Sequence, residues 1–390
     1  MSYYLETYHE SMNKYNEELC GDKVEVIRED NSIVMVLADG LGSGVKANIL
    51  STLTAKIIGT MLANGSGIDE AVETIVSTLP VDKERGVAYS TFTILQLFKS
   101  GKGYLVEFDN PSAFRLNKEK LIPIETTTRV ISEKIVREAR FDVEQEDLFV
   151  IVSDGVVHAG IGGRLNLGWQ WKNVGEYIQN ANKDGMNTKA ITKLLLNACS
   201  NLYNKKPGDD VTIAAVKAKR PVTLNLMVGP PADKKRDEEV VMRFAATDGV
   251  KVVCGGTTAQ IVARELGKKI IPNFNYFNPS VPPTAEIDGI DLVTEGVITI
   301  KKALGLIKAC VKQDSTMEDF LSLNNKDGAS RLAKMILNEG TNINIFLGRA
   351  MNPAHENTEF PTSLSMKIGL VEEIVSYLNS IGKQVTLEYY

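Results

Sequence analysis

The longest unbroken apolar stretch near the start of the chain is Ile33-Val34-Met35-Val36-Leu37-Ala38. Such a run, closed by an acid and glycines, predicts a strand buried on both faces. It runs into Asp39-Gly40-Leu41-Gly42-Ser43-Gly44, where the glycines permit a sharp turn and leave room for a ligand. Val45, Ile49, Leu50, Leu53, Ile57, Ile58 and Leu62 then recur at three- and four-residue spacing. That period predicts a helix over about 45–63 with these residues on one apolar face, stopped at Asn64-Gly65. A second helix, about 68–78, is expected to bury Ala71, Val72, Ile75 and Val76 and to end before Pro80. The two should pack as a pair over a sheet.

The pattern then shortens into strands. Thr91–Phe98 and Tyr104–Phe108 flank the turn Ser100-Gly101-Lys102-Gly103 and read as a hairpin. Ala113–Leu116 begins another short strand, and Leu121–Ile124 and Val143-Glu144 are expected to add edges. Alternation at Tyr4, Glu6 and Tyr8 is compatible with an edge strand. Phe149-Val150-Ile151-Val152 repeats the buried-strand design and ends in Ser153-Asp154-Gly155. The glycine-rich stretch after it, with Gly160, Gly162, Gly163 and Gly168, reads as a mobile flap. Helices are predicted at about 174–181 and 188–202, and a strand at 211–217 closes the region. Consecutive strands around a helix pair indicate an α+β class with mostly antiparallel sheets.

Arg220-Pro221 marks the expected boundary between domains 1–219 and 220–390. Beyond it, strands at 222–228, 250–254, 291–294, 343–347 and 385–389 alternate with helices at 238–246, 259–266, 300–311, 329–338 and 364–381. This rhythm predicts a three-layer α/β domain with a largely parallel sheet.

Composition narrows the function classes. A formal charge of −5 with no dominant Lys/Arg patch argues against a nucleic-acid partner. The four cysteines, Cys20, Cys199, Cys254 and Cys310, form no Cys-x-x-Cys pair, so a structural zinc site or redox dithiol is not indicated. No apolar run is long enough to span a bilayer, and Met1-Ser2-Tyr3-Tyr4 does not open a signal peptide. The expectation is a cytoplasmic protein without a membrane partner.

The candidate chemistry lies in acids at strand ends. Asp39 and Asp154 each end an apolar strand, and Gly208-Asp209-Asp210 precedes the strand starting at Val211. An Asp-Gly pair alone is an ordinary turn. Three such acids suggest carboxylates converging on hard cations, because Mg²⁺ and Mn²⁺ favour carboxylate, carbonyl and water oxygens.

Asp39-Gly40-x-Gly, Ser-Asp154-Gly155 and Gly-Asp209-Asp210-x-Thr, in this order, resemble the metal-dependent serine/threonine protein phosphatases of type 2C. The resemblance is to the bacterial branch typified by stage II sporulation protein E, and it covers roughly residues 15–218. It implies an αββα sandwich and two Mn²⁺ or Mg²⁺ ions. It implies that Asp39 bridges the ions and that the Gly40 carbonyl, Asp154 and Asp209 are ligands. Asp210 is a further candidate metal ligand, standing where many relatives carry asparagine. Asp22, in Cys20-Gly21-Asp22, is an outer acid or a turn aspartate, and Glu25 is a further option. The implied substrate is phosphoserine or phosphothreonine on a regulatory protein. Two departures stand out. No arginine lies between Glu10 and Val26 to hold a phosphate, and no catalytic histidine acid is evident, since His158, just past Asp154, reads as a bystander in the flap.

No family resemblance covers the C-terminal part. Gly255-Gly256-Thr257-Thr258, Thr294-Glu295-Gly296 and Gly348-Arg349-Ala350-Met351-Asn352-Pro353 follow its strands. Ligands bind outside the carboxyl ends of parallel strands. Gly255, Gly256, Thr257, Glu295, Arg349 and Asn352 are therefore candidate contacts for a small molecule, and tight strand–helix turns are the competing account. The stretch has neither Gly-x-Gly-x-x-Gly nor a Walker motif. A sensor or targeting module is the leading expectation for this domain. The alternatives are an inactive phosphatase-fold scaffold, or a small-molecule enzyme in the C-terminal domain. A homodimer is compatible with the sequence.

Overall fold

The computed structural model describes residues 2–79, 90–182, 186–350 and 362–390. Backbone contacts divide the chain into two units, Met1–Arg220 and Pro221–Tyr390.

In the first unit the strands are β1 (Tyr4–Met12), β2 (Asp22–Arg28), β3 (Ser32–Asp39), β4 (Thr91–Phe98), β5 (Lys102–Phe108), β6 (Phe114–Asn117), β7 (Lys120–Ile122), β8 (Thr127–Ile131), β9 (Lys134–Asp142), β10 (Asp147–Val152) and β11 (Val211–Lys219). The helices are α1 (Gly44–Ala63), α2 (Ile68–Thr78), α3 (Asp154–Val157), α4 (Trp171–Ala181) and α5 (Thr188–Leu202). The strands form two sheets, ordered β2-β3-β4-β5-β9-β8 and β1-β11-β10-β6-β7. Every pairing in them is antiparallel.

Side-chain alternation explains the layers. Met35, Leu37, Leu95 and Leu105 of one sheet pack against Phe149, Ile151, Ala214 and Val216 of the other. The intervening residues point outward. Val34, Val36 and Ala38 meet Ile58, Leu62, Val72 and Ile75 of α1 and α2. Val150, Val152, Ile213 and Ala215 meet Val156, Val174, Ile191 and Leu195 of α3 to α5. The result is an αββα sandwich. β3 and β10 read as unbroken apolar runs because each is covered on both faces, and each such side chain contributes about 1.5–3 kcal/mol.

Two expectations need correction, and one element was missed. Val45, Ile49 and Leu53 do not face the sheet; they are 62%, 52% and 42% exposed. The buried face of α1 is Gly44, Ala47, Leu50, Ser51, Thr54, Ala55, Ile58, Gly59 and Leu62. Small residues let the helix approach closely: a Cβ on Gly59 would lie 3.1 Å from Ile27 Cδ1. A count of large apolar residues therefore picks the wrong side. Val143-Glu144 adds no strand; these residues turn the chain, the Val143 N–H donating to Gly101 O and the Glu144 N–H to Asp147 Oδ2. The β8–β9 hairpin was not predicted. Its turn residues Ser132 and Glu133 both have positive φ, 46° and 64°, without the Asn-Gly that usually marks such a turn.

The second unit contains β12 (Thr223–Val228), α6 (Asp237–Ala246), β13 (Val250–Cys254), α7 (Gly256–Glu265), β14 (Ile271–Pro272), β15 (Ala285–Ile287), β16 (Ile290–Thr294), α8 (Val297–Val311), α9 (Met317–Ser322), α10 (Gly328–Lys334), β17 (Asn342–Leu347), α11 (Thr362–Ser380) and β18 (Gln384–Tyr389). The sheet order is β14-β15-β16-β13-β12-β17-β18. The five strands from β16 to β18 are parallel, and β14 and β15 form an antiparallel edge. Met227, Val253 and Phe346 pack under Val240, Phe244 and Val262 of α6 and α7. On the other face Leu226, Val228 and Ile345 join Ile300, Leu332, Val371 and Ile374 around a cavity of about 10 Å³. Helices thus cover both faces, giving three layers.

The helix expected over 329–338 is α10 followed by a wider π turn at Met335–Glu339. Buried Lys383 caps that turn, donating from Nζ to the carbonyls of Ile336, Leu337 and Gly340. Among the described residues no helix is long and apolar enough to cross a membrane.

Candidate active site and metal centre

The last residue of β3 is Asp39, and the antiparallel ladder sets it opposite Asp22, the first residue of β2. Two carboxylates thus stand side by side at one end of the six-stranded sheet. The loop after Asp39 is held tightly. The Gly40 N–H donates to Gly21 O at 3.1 Å, and a Cβ on Gly40 would lie 2.1 Å from Ala47 O. Only glycine lets the first turn of α1 close over this loop.

The five-stranded sheet supplies the other acids. At the end of β10, Ser153 is laced to β11: its N–H donates to Thr212 O at 3.0 Å, and the Thr212 N–H donates to Ser153 Oγ at 2.9 Å. Asp154 follows at the start of α3 with its side chain 45% exposed. A Cβ on Gly155 would lie 2.0 Å from Asp210 O, and Tyr203 OH donates to Gly155 O at 2.9 Å. Asp209 and Asp210 directly precede β11. The Asp210 carboxylate is 4% exposed and occupied with the backbone: Oδ1 accepts the Lys14 N–H at 2.9 Å. A Cβ on Gly21 would lie 2.9 Å from Asp210 Oδ2. Asp210 is thus placed to hold the β1–β2 connection.

The acids act on one another electrostatically. Burial pushes Asp39 well above the usual carboxylate range, and the charges of Asp22, Asp154 and Asp209 push it further. Burial also raises Asp22; the hydroxyls of Thr212 and Ser153 pull it back, and Asp210 and Asp154 raise it again. Asp209 is raised by burial and then by Asp154. Both sheets therefore bring carboxylates to a common end of the sandwich, where Lys14 only partly offsets their repulsion at Asp209. Asp22 Oδ2 is buried without a hydrogen-bond partner.

This donor set fits hard divalent cations: it is all oxygen, crowded with negative charge, and keeps one orphaned carboxylate atom. Among the described residues no three His, Cys, Asp or Glu side chains form a ready-made metal cage. Mg²⁺ does not need one, because it keeps several waters and uses one or two carboxylates.

Other expected residues fall elsewhere. Glu25 pairs with Lys56 at 2.7 Å on the sheet surface. His158 Nδ1 is 3.9 Å from Asp154 Oδ2 and more than half exposed. Sequence reasoning missed Glu17, whose Oε1 accepts the Ser43 hydroxyl at 2.9 Å and so ties the loop after Asp39 to the segment before β2. It also missed Ser153 and Thr212 as supports, although both flank the acidic motifs.

In the second unit, Gly255, Gly256, Thr257 and Glu295 lie at the ends of the neighbouring strands β13 and β16. The Gly255 N–H donates to Thr294 O at 2.9 Å. Arg349 follows β17, and its guanidinium lies 4.4 Å over the Tyr389 ring. Asn352 lies outside the described residues.

Residues 29–219 match the family described as stage II sporulation protein E (SpoIIE). No curated protein matches the chain. Among solved structures, the PP2C phosphatase domain with a regulatory-domain fragment of SpoIIE from Bacillus subtilis aligns with a TM-score of 0.47 and 18% identity, over 56% of this chain and 63% of that one. The chain thus spans under two thirds of that fragment. The RsbU and RsbW domains of a Mycobacterium tuberculosis protein align with a TM-score of 0.47 and 14% identity, over 63% and 70%. The SiaA-PP2C domain of Pseudomonas aeruginosa aligns with a TM-score of 0.44 and 15% identity, over 54% and 85%.

Proposed function

We propose, taking residues 29–219 as a SpoIIE-type phosphatase domain, that the first unit hydrolyses phosphoserine or phosphothreonine on a regulatory protein in the cytoplasm. The observation that carries the reading is that Asp154 and Asp209 of one sheet lie close enough to raise Asp39 of the other, and Asp154 to raise Asp22. Asp39 with the Gly40 carbonyl, Asp154 and Asp209 would hold two Mn²⁺ or Mg²⁺ ions, with Asp22 an outer acid. When bound, the ions supply the Lewis acidity that makes water a nucleophile near neutral pH and neutralises phosphoryl oxygens.

The chain's own part is positioning. Rigid strand ends fix Asp39 and Asp154, while Ser153, Thr212 and Glu17 hold the loops that carry them. Asp210 fixes the approach of the β1–β2 connection. The second unit reads as a sensor or targeting module for this activity. Hydrolysis of an aryl phosphate with and without Mn²⁺ tests the reading. Mn²⁺-dependent turnover that is lost in Asp39→Asn and Asp154→Asn is the expected result. A metal-independent rate, or one unchanged in both variants, would overturn it and leave the scaffold account.

A further inference from the structure

The carboxyl edge of the parallel sheet holds polar groups that the phosphatase reading does not use. The chain runs from β12 outward to β13 and β16, then returns to β17 on the other side of β12. From β12 it continues to α6 on one face, and from β17 to α11 on the other. Adjacent strands whose connections part in this way leave a crevice beyond their carboxyl ends.

Lys367 of α11 sits at that crevice. Its Nζ donates to Gly348 O at 2.7 Å, and a Cβ on Gly229 would lie 2.3 Å from it. The ammonium is mostly buried and has no carboxylate partner among the described residues. Burial alone pushes its pKa down to about 8. At the end of β16, Glu295 Oε2 is buried without a hydrogen-bond partner. An ionised carboxylate only accepts, so that atom calls for a hydroxyl or amine donor. Between the two, Gly255 turns with a φ of 119° into α7, whose first turn has no side-chain cap. Helix N-terminal N–H groups without such a cap can take an anionic acceptor.

Spacing sets the size of what would bridge these groups. The ends of β16 and β17 are three strand intervals apart, about 14 Å at the usual separation. We infer that this edge binds a nucleotide, with its phosphates between the α7 N-terminus and Lys367 and its ribose hydroxyls at Glu295. The first strand–helix turn, Gly229-Pro230-Pro231, contains two residues without an N–H. It cannot form the backbone phosphate cradle of a dinucleotide-binding turn, and a lysine supplies the charge in its place. The inference rests on reading the second unit as a ligand-binding module and is independent of the phosphatase chemistry.

Calorimetry and thermal melting of the full chain with ADP, GDP, UDP, ribose 5-phosphate and inorganic phosphate test it. EDTA is included so that no phosphate binds through a metal at the acidic end. At least one nucleoside diphosphate should bind at micromolar concentration. Lys367→Met should weaken that binding tenfold or more. Glu295→Gln should weaken nucleotide binding several-fold and leave phosphate binding unchanged. Lys367→Gln replaces Lys367→Met if the latter melts early. No binding at millimolar ligand overturns the inference, as does binding that survives both variants. Ribose 5-phosphate or phosphate binding as tightly as any nucleotide would overturn the nucleotide assignment. Nucleotide binding with no effect on aryl phosphate hydrolysis leaves this site standing and removes the sensor role.

Discussion

The acidic end of the first unit and the carboxyl edge of the second both gather chemistry at strand ends, but the first is all carboxylate and the second sets a lysine against a carboxylate. In the first, antiparallel strands from two sheets bring aspartates together, and neighbouring carboxylate charges add to burial in making Asp22, Asp39 and Asp209 harder to ionise. In the second, parallel strands end in glycine turns, a lysine with no carboxylate partner among the described residues, and Glu295, with one oxygen buried and unpaired. An antiparallel sandwich can aim side chains from either sheet at one point. A doubly wound sheet instead offers backbone N–H groups and helix termini beside its crossover. On the readings proposed above, the first arrangement suits cations and the second a phosphate.

The comparison can be broken in several places. Asp39→Asn should lower Mn²⁺-dependent hydrolysis by about 100-fold or more, measured on an aryl phosphate, whereas Lys367→Met should leave turnover without nucleotide unchanged. Ile58→Ala in the buried face of α1 should cost about 2–5 kcal/mol in denaturant unfolding. Val45→Ser or Leu53→Ser, on the exposed face, should change stability by no more than about 0.5 kcal/mol. Lys383→Met leaves buried carbonyls unpaired and should cost about 1–3 kcal/mol, seen in the melting of the second unit. The smallest effect concerns pH. Lys367 binds its proton more weakly folded than unfolded, with a pKa of about 8 against the ordinary lysine value of 10.5. Between these values the unfolded chain holds more protons, so stability should rise as pH climbs through that window. Lys367→Met should flatten the rise.

Much of the fold was legible because periodicity and burial agreed. β4, β13 and α5 have the boundaries that the pattern predicts. α1 was half legible: its length followed from spacing, but its orientation depends on how closely small residues let it approach β2 and β3. The β8–β9 hairpin escaped because its strands are charged and its turn carries no glycine. At the site, Asp39 and Asp154 announced themselves at the ends of apolar runs. Glu17 did not, because a carboxylate in a polar segment has no pattern until the fold brings Ser43 to it. Lys367 escaped for the same reason: nothing in α11 distinguishes it from the helix's other charged positions.

The pairing of β1 with β11 carries a consequence for synthesis. Tyr4 lies opposite Lys219, so the opening strand of the sandwich finds its partner only when the closing strand has been made. Asp210 reaches the Lys14 backbone through the same late closure. A nascent chain must therefore keep its first twenty residues waiting while two hundred more leave the ribosome, and a truncated product lacks both the partner strand and two of the acids. The acidic end is therefore completed in one late step, an order of events set by long-range contacts.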